Sequence, residues 1–316
     1  MILFGAMGYS AAMATKKPID PAVDLQRILA DIRNRRERRT KKKPPPALKD
    51  HIVAFIDLLG FRDQVLSMPP KEAGRQIQKL EFLFSSVVGA HKPTAGDQHG
   101  IEVRFFSDCF CLALPLDKSD LESYLDGLFW FLVHIVHIQG EFIGNGQVLR
   151  GGIAVGLHYS SESLIFSPAQ IRAYEVESKS ATYPMVMLHD SVLESLQAVV
   201  ARHKKKPVLS AAALKGDLES IFGLIATDES GKHFVNYLGF WTELDEPTPP
   251  ETYFAAHKEI IEQGAELHRG VPSLLEKYRW MARYHNAYMT TTLESPQALI
   301  IPDEVFGTVR ILETDD

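Results

Sequence analysis

The sequence predicts an α/β sandwich in which helices cover a largely antiparallel sheet, and three observations predict it. Apolar and β-branched runs recur, first at Ile52-Val-Ala-Phe-Ile-Asp57, then at Glu102-Val-Arg-Phe-Phe106 and Val148-Leu-Arg-Gly-Gly-Ile-Ala-Val-Gly156. Longer stretches with apolar residues at helical spacing separate them. Around Ser107-Asp108 the apolar pattern is interrupted, so residues 101–114 read as two strands or as one strand bent there. The order strand, helix, paired strands, helix, strand, hairpin, helix, strand describes that sandwich, and no internal repeat is visible.

At 316 residues the chain has room for one large domain with additions, or for two domains. With 45% hydrophobic and 23% charged residues it has the composition of an ordinary globular protein. A net charge of −6 gives no global sign of nucleic-acid binding. Only Cys109 and Cys111 occur, two apart on one strand. That is too few for a disulfide scaffold or a structural zinc site, and buried thiols in a reducing cytoplasm are expected.

Residues 1–13 are mildly apolar, but Lys16 and Lys17 follow them, the reverse of a secretory signal, and Met7 or Met13 would serve equally as a start. Residues 22–39 read as a helix that runs into Arg33-Asn-Arg-Arg-Glu-Arg-Arg-Thr-Lys-Lys-Lys43, where eight of eleven residues are basic. Pro44-Pro45-Pro46 then makes a stiff spacer. Such an arm suits an acidic partner or nucleic acid, and equally a solvated segment. Residues 1–49 are therefore taken as leader, helix and basic arm, 50–245 as the body, and 246–316 as a C-terminal helical extension.

Within the body, a helix is expected over 69–91, with Ile77, Leu80, Leu83 and Val87 on one side. Residues 96–100 read as loop. Residues 118–140 read as a long helix whose centre, Gly127 to Ile138, is apolar almost all round. It is too short and too interrupted by histidine to span a bilayer, so burial in the core, and at a dimer seam, fits better. His134 and His137 on it have metal-compatible spacing but no carboxylate or cysteine beside them, which favours satisfied buried histidines. Glycines in the 148–156 strand mark close approach of another backbone or a ligand. A hairpin through 160–163 and a helix over 168–178 follow, with Pro168 near its start. Then come a strand at 183–188 and a helix over 190–201 with Asp190 as N-cap. Residues 221–226 and 233–239 read as a hairpin, and helices over 252–268 and 271–290 close the chain.

No Walker loop, Gly-x-Gly-x-x-Gly, Gly-x-Ser-x-Gly, His-Glu-x-x-His or paired Cys-x-x-Cys occurs. What remains is a pair of aspartates. Asp57 ends one apolar strand and Asp108 sits among aromatic residues about fifty positions later. If the two strands are neighbours, the carboxylates can share divalent cations about 4 Å apart, which suits phosphoryl chemistry. Asp57 as a helix cap and Asp108 as a plain turn residue is the alternative.

Phe55-Ile-Asp57-Leu-Leu-Gly60-Phe61 resembles the metal strand and phosphate loop of class III nucleotidyl cyclases. Arg104-Phe-Phe-Ser-Asp108 resembles that family's second metal strand, and Arg150-Gly-Gly-Ile-Ala-Val-Gly156 its Arg-x-Gly-Ile-x-x-Gly strand. More narrowly, Phe-Ser-Asp108, the Pro168-Ala…Ala173-Tyr-Glu-Val-Glu177 helix, Ala181-Thr-Tyr-Pro184 and Lys277-Tyr-Arg-Trp-Met-Ala-Arg-Tyr-His-Asn286 look like the bacterial pyrimidine cyclases of Pycsar antiphage defence. The resemblance covers residues 50–290.

The resemblance implies that Asp57 and Asp108 hold two Mn²⁺ or Mg²⁺ ions, with the Leu58 carbonyl completing one shell. It implies that backbone N–H groups of Leu59, Gly60 and Phe61 cradle the β- and γ-phosphates, and that Arg104 contacts the base where purine cyclases carry a lysine. An arginine pairing with a neighbouring acid as a structural bridge is the other reading of Arg104. The reaction implied is cyclisation of UTP to 3′,5′-cyclic UMP and pyrophosphate. CTP is the alternative substrate, and a catalytically silent nucleotide-binding sensor the alternative role. It also implies a head-to-tail homodimer with composite sites, and a second messenger read by a separate effector. One departure stands out. Where the family often carries an Asn and an Arg acting on the transition state, this chain has Ile171 and Glu175, leaving Arg150 or Arg172 to supply positive charge.

Overall fold

The computed structural model describes residues 30, 33, 45–89, 100–204, 208–242, 250–293 and 297–306. The chain divides into two compact units, residues 1–47 and 48–316. Of the first, Ala30 and Arg33 are helical, and residues 45–47 have no regular structure. The leader and most of the expected 22–39 helix and the basic run lie outside the described residues, as do residues 96–99 of the expected loop and residues 243–249.

The second unit is a mixed α/β domain with an open sheet covered by helices. Its strands are β1 (Lys49–Leu58), β2 (Glu102–Phe106), β3 (Cys109–Pro115), β4 (Leu149–Ser161), β5 (Leu164–Phe166), β6 (Val186–Leu188), β7 (Ile225–Thr227) and β8 (His233–Val235). The order across the sheet is β2-β3-β1-β4-β6-β8-β7, with β5 hairpinned onto β4. Every pairing is antiparallel except β4 with β6. The helices are α1 (Phe61–Ser67), α2 (Pro70–Gly89), α3 (Leu121–Gly144), α4 (Pro168–Lys179), α5 (Ser191–His203), α6 (Ala211–Gly223), α7 (Pro250–Leu267) and α8 (Pro272–Thr292).

Alternation along the central strands gives the sheet two different faces. Ile52, Ala54, Ile56 and Leu58 of β1, Phe110, Leu112 and Leu114 of β3, and Leu149 and Ile153 of β4 join one core with α3, α2, α5 and α6. Helix α3 explains its own composition. It is long and apolar enough to cross a membrane, yet it is mostly buried, with Phe131, Leu132, Ile135 and Val136 fully enclosed. It serves as the central helix of this core. Asp120 caps it by accepting the Glu122 N–H at 3.2 Å.

The opposite face carries Asp57, Cys109, Arg150 and Gly152, with α4 lying across part of it. That close approach is why β4 needs glycine: a Cβ on Gly152 would come within 2.1 Å of the Ala173 carbonyl oxygen. Ser167 caps α4 by accepting the Gln170 N–H at 2.9 Å, and Pro168 opens its first turn. Beyond β4 the same face is covered by α7 and α8. There Trp280 and Met281 pack on Met185, Met187 and Phe234.

Four local expectations need correction. Residues 221–223 finish a helix rather than begin a strand. Ser210 caps α6 on the Ala213 N–H, and Ile221 is buried in the main core, so packing overrides the β preference of Ile-Phe. Residues 183–185 turn before β6 begins. Residues 236–239 leave β8 for a 3₁₀ helix over Tyr237–Thr242. Asp190 occupies the N-cap position of α5 but its side chain caps nothing, and the Ser191 N–H donates to His189 Nδ1 instead.

Candidate active site

The β1 register sets the candidate site. In the antiparallel ladders Asp57 lies opposite Cys109 on one side and Arg150 on the other. Residues directly opposite share a face, so Phe106, Cys109, Asp57 and Arg150 make one transverse row. Arg104, Cys111, Phe55 and Gly152 make the next. Asp108 enters from the β2–β3 hairpin. Ser107 takes the left-handed conformation there (φ +62°), and the Asp108 carbonyl accepts the Leu58 N–H at 3.1 Å. The two sequence-predicted aspartates are thus brought together at the ends of adjacent strands.

Two further groups complete the cluster. The Arg150 guanidinium donates through Nε and Nη2 to Asp57 Oδ2, at 3.1 and 3.0 Å. Its Nη2 also lies 2.9 Å from Oε1 of Glu177, a residue of α4 that is 3% exposed. That second contact runs off the N–H direction, so it is ionic rather than a formed hydrogen bond. Two carboxylates therefore share one guanidinium, and the Asp108 charge acts on Asp57 from beside them. Burial first, opposed by Arg150 and reinforced by Asp108, raises the Asp57 pKa. Burial also raises that of Glu177, with Arg150 opposing and Asp57 adding. The Cys109 thiol is pushed up to about 11, by burial and then by Asp108, Asp57 and Glu177, so all three acids converge on it.

This excess of negative charge fits a cation. Among the described residues no three His, Cys, Asp or Glu side chains form a ready-made metal cage. The available donors are the Asp57 and Asp108 carboxylates and backbone carbonyls such as that of Leu58, hard oxygens of the kind Mg²⁺ and Mn²⁺ take.

The Gly60 turn follows directly. Gly60 has φ +84°, a left-handed conformation that costs other residues about 1–2 kcal/mol. The Leu59 N–H donates to the Val148 carbonyl at 2.9 Å and extends the β1–β4 ladder. It is therefore spent on the sheet, and of the three amides expected to cradle phosphates only those of Gly60 and Phe61 remain. Phe61 packs its ring against the main core.

Arg104 pairs with Glu102 at 2.8 Å and reaches Ser160 Oγ at 3.5 Å. Its strand ends at Phe106, so Arg104 shares a face with Asp57 by register rather than with Asp108 along a common strand. It lines a cleft of about 440 Å³ that also borders Gln170. Ile171 is 62% exposed and Glu175 pairs with Lys179 at 2.9 Å, so neither is engaged with the carboxylates of its own chain. Arg172 lies over Gly156. Sequence reasoning named Arg150 as one of two candidates for the positive charge, without its partners, and Glu177 only as part of a longer motif. The signal that would have found them is the register, since a strand cation directly opposite Asp57 is its natural counter-charge.

No family model matches the chain, and no curated protein sequence matches it. Among solved structures it is similar to two of a bacterial light-regulated adenylyl cyclase, both at 13% identity. One has a TM-score of 0.30 over 57% of this chain and 60% of that one, less than two thirds of its length. The other has a TM-score of 0.35 over 69% and 99%. Similarity this slight does not bear on what the chain does.

Proposed function

We propose that this chain is a nucleotidyl cyclase that closes a nucleoside triphosphate into a 3′,5′-cyclic monophosphate. The observation that carries the reading is the convergence of Asp57 and Asp108 at the mouth of adjacent strands, beside the Gly60 turn, with Arg150 between Asp57 and Glu177. Asp57, Asp108 and the Leu58 carbonyl would hold two Mg²⁺ or Mn²⁺ ions, which supply charge neutralisation and acidify the ribose 3′-hydroxyl. In the reaction the 3′-oxygen bonds to the α-phosphorus and the bond to the bridging oxygen breaks. Pyrophosphate leaves with that electron pair, and the hydroxyl proton passes to solvent. No nucleophilic side chain is needed, because positioning and charge do the work.

Arg150 takes the role that Ile171 and Glu175 do not fill. Glu177 holds the guanidinium in place when Asp57 turns to other ligands, leaving its N–H groups for the α-phosphate. In this reading the base occupies the cleft beside Arg104, whose planar fork suits the acceptor edge of a pyrimidine, UTP ahead of CTP. A second copy completes the site. The exposed apolar side chains Phe106, Phe166, Ile171 and Tyr174, around the carboxylate face, support that. The cyclic nucleotide then serves as an antiphage second messenger read by a separate effector, a role that rests on the resemblance alone.

One observation favours a silent nucleotide-binding module instead: Asp57 Oδ2 already takes two N–H groups of Arg150. A single assay separates the readings. The protein is incubated with Mn²⁺ and each of ATP, GTP, CTP and UTP, beside Asp57→Ala and Asp108→Ala. A cyclic pyrimidine product lost in both variants is expected. A cyclic purine overturns the Arg104 assignment alone. Nucleotide binding without any cyclic product overturns the enzyme.

A further inference from the structure

The cleft of about 440 Å³ beside Arg104 has a second polar wall. Arg104 lines it from β2, and Gln170 lines it from the first turn of α4. Phe106 and Leu164 supply exposed apolar surface beside them. Gln170 is half-buried and stands on a fixed element. Ser167 accepts its N–H at 2.9 Å, and Ala169 before it is fully buried with Val53, Cys111 and Ala113. Glu162 also lines the cleft, but from the exposed turn between β4 and β5.

Arg104 is held as firmly. Glu102 and Arg104 are two apart on β2 and so share a face. Glu102 Oε1 pairs with Arg104 Nη2 at 2.8 Å and also accepts from the Ser160 hydroxyl. That hydroxyl oxygen in turn lies 3.5 Å from Arg104 Nε, so the three side chains close a ring. The other Glu102 oxygen lies 3.9 Å from Nε2 of His158, a residue 2% exposed. His158 Nδ1 is 2.8 Å from the Ser167 hydroxyl, the same group that caps Gln170. Burial, with His51 adding to it and Glu102 opposing, lowers His158 to about 4, so at pH 7 its ring is neutral and the Glu102 charge is left to Arg104. One run of side chains thus ties the two walls of the cleft together. A long arginine that is already ordered loses less freedom when a ligand arrives.

The two walls differ in what they can read. A guanidinium only donates, so it takes an acceptor, and O2 is the acceptor that uracil and cytosine share. A carboxamide donates from one end and accepts at the other. It serves either group at position 4, the O4 of uracil or the amino group of cytosine, where the two bases differ. We infer that Gln170 meets position 4 of the base and sets how far the site separates UTP from CTP, with Glu102 positioning Arg104 for O2. The inference rests on the cyclase reading, with the base beside Arg104, and deepens it by naming a second specificity-determining residue.

The test measures binding and turnover separately. Isothermal titration in Mn²⁺ uses 3′-deoxy-UTP and 3′-deoxy-CTP, which have no hydroxyl to cyclise. It is run on the full chain and on Gln170→Glu, Glu102→Gln and Glu162→Gln, with circular dichroism as the check on folding. A carboxylate at position 170 only accepts, so Gln170→Glu is expected to move the ratio of the two affinities toward cytosine about tenfold or more. Glu102→Gln weakens both analogues alike, about fivefold, and raises KM for both nucleotides with kcat unchanged. Glu162→Gln alters neither affinity. No binding of either analogue by the parent, an unmoved ratio in folded Gln170→Glu, or a ratio that moves in Glu162→Gln overturns the assignment of Gln170. Parent affinity in Glu102→Gln removes Glu102 as the positioning residue. If cyclic product still forms when the ratio does not move, the cyclase reading stands without Gln170. If the ratio moves as expected yet no nucleotide is cyclised, the base site stands and the cyclase reading does not.

Discussion

Arg150 is the residue on which the candidate site turns. Its guanidinium is bonded to Asp57 and paired with Glu177, in a cluster that Asp108 completes. Crowded like charges in a half-buried place are kept at a cost to stability. Replacing Asp57 with Asn removes one of them and leaves Arg150 its Glu177 partner. The Asp57→Asn protein is expected to melt about 2–4 °C higher, on the order of 1 kcal/mol, while losing cyclisation, as scanning calorimetry and the nucleotide assay would show. An unchanged or lower melting temperature would mean that the cluster is not crowded. Gly152 gives the opposite case. The Ala173 carbonyl stands where a Cβ would go, so Gly152→Ala is expected to destabilise by about 3 kcal/mol by forcing α4 off the sheet, read as a shifted urea midpoint. The two aspartates were legible because an unpaired acid closing an apolar strand has no structural use of its own. The Arg150 bridge was not, because its partners lie in other elements and nothing local to residues 148–156 names them.

At the scale of elements, α7 and α8 are joined by a buried polar chain. The Leu299 carbonyl accepts from His285 Nε2 at 3.0 Å, the two Nδ1 atoms of His285 and His257 are 2.9 Å apart, and Tyr237 meets His257 Nε2 at 3.3 Å. One arrangement satisfies every member: His285 carries its proton on Nε2, His257 on Nδ1, and the tyrosine donates. Protonating His285 would set its Nδ1–H against that of His257, and protonating His257 would turn its Nε2 into a donor aimed at the tyrosine hydroxyl that donates to it. Burial accordingly lowers His285 to about 4 and His257 well below the usual histidine range. Both folded values lie below the unfolded one, so the unfolded chain binds more protons under mild acid. Stability is complete above pH 6.5 and is lost as pH falls from there toward 4. Between pH 7.5 and 5.5 the pair is expected to cost about 3 kcal/mol. Urea midpoints at the two pH values check this, and His285→Gln should shrink the drop by about 1.4 kcal/mol. An equal drop in the variant would remove the pair as its cause. The lengths of α3, α4, α7 and α8 were readable from periodicity and, for α4, from Pro168. Helix α6 was not, because its docking on α3 decides between helix and strand at residues 221–223.

At the scale of the whole molecule, the sheet is closed on one face, and the proposed dimer would share the other. The exposed Phe166 and Ile171 are the side chains that dimer would cover. The parent chain is expected to sediment as a dimer, and the Phe166→Glu, Ile171→Glu double variant as a folded monomer without activity. An active monomer would show that one chain holds a complete site. The same architecture also has a consequence in time. Arg150 and Glu177 meet inside one β–α crossover, the segment that carries β4 to its parallel neighbour β6. The bond from Arg150 to Asp57 instead spans 93 residues. Closing the shorter loop costs less chain entropy, so the crossover pairs its own charges first and β1 brings Asp57 afterwards. In stopped-flow refolding, Glu177→Gln should then slow the folding limb, whereas Asp57→Asn should alter mainly the unfolding limb. The arginine arrives already neutralised, and the acids that need a cation are assembled only when the last strand is in place.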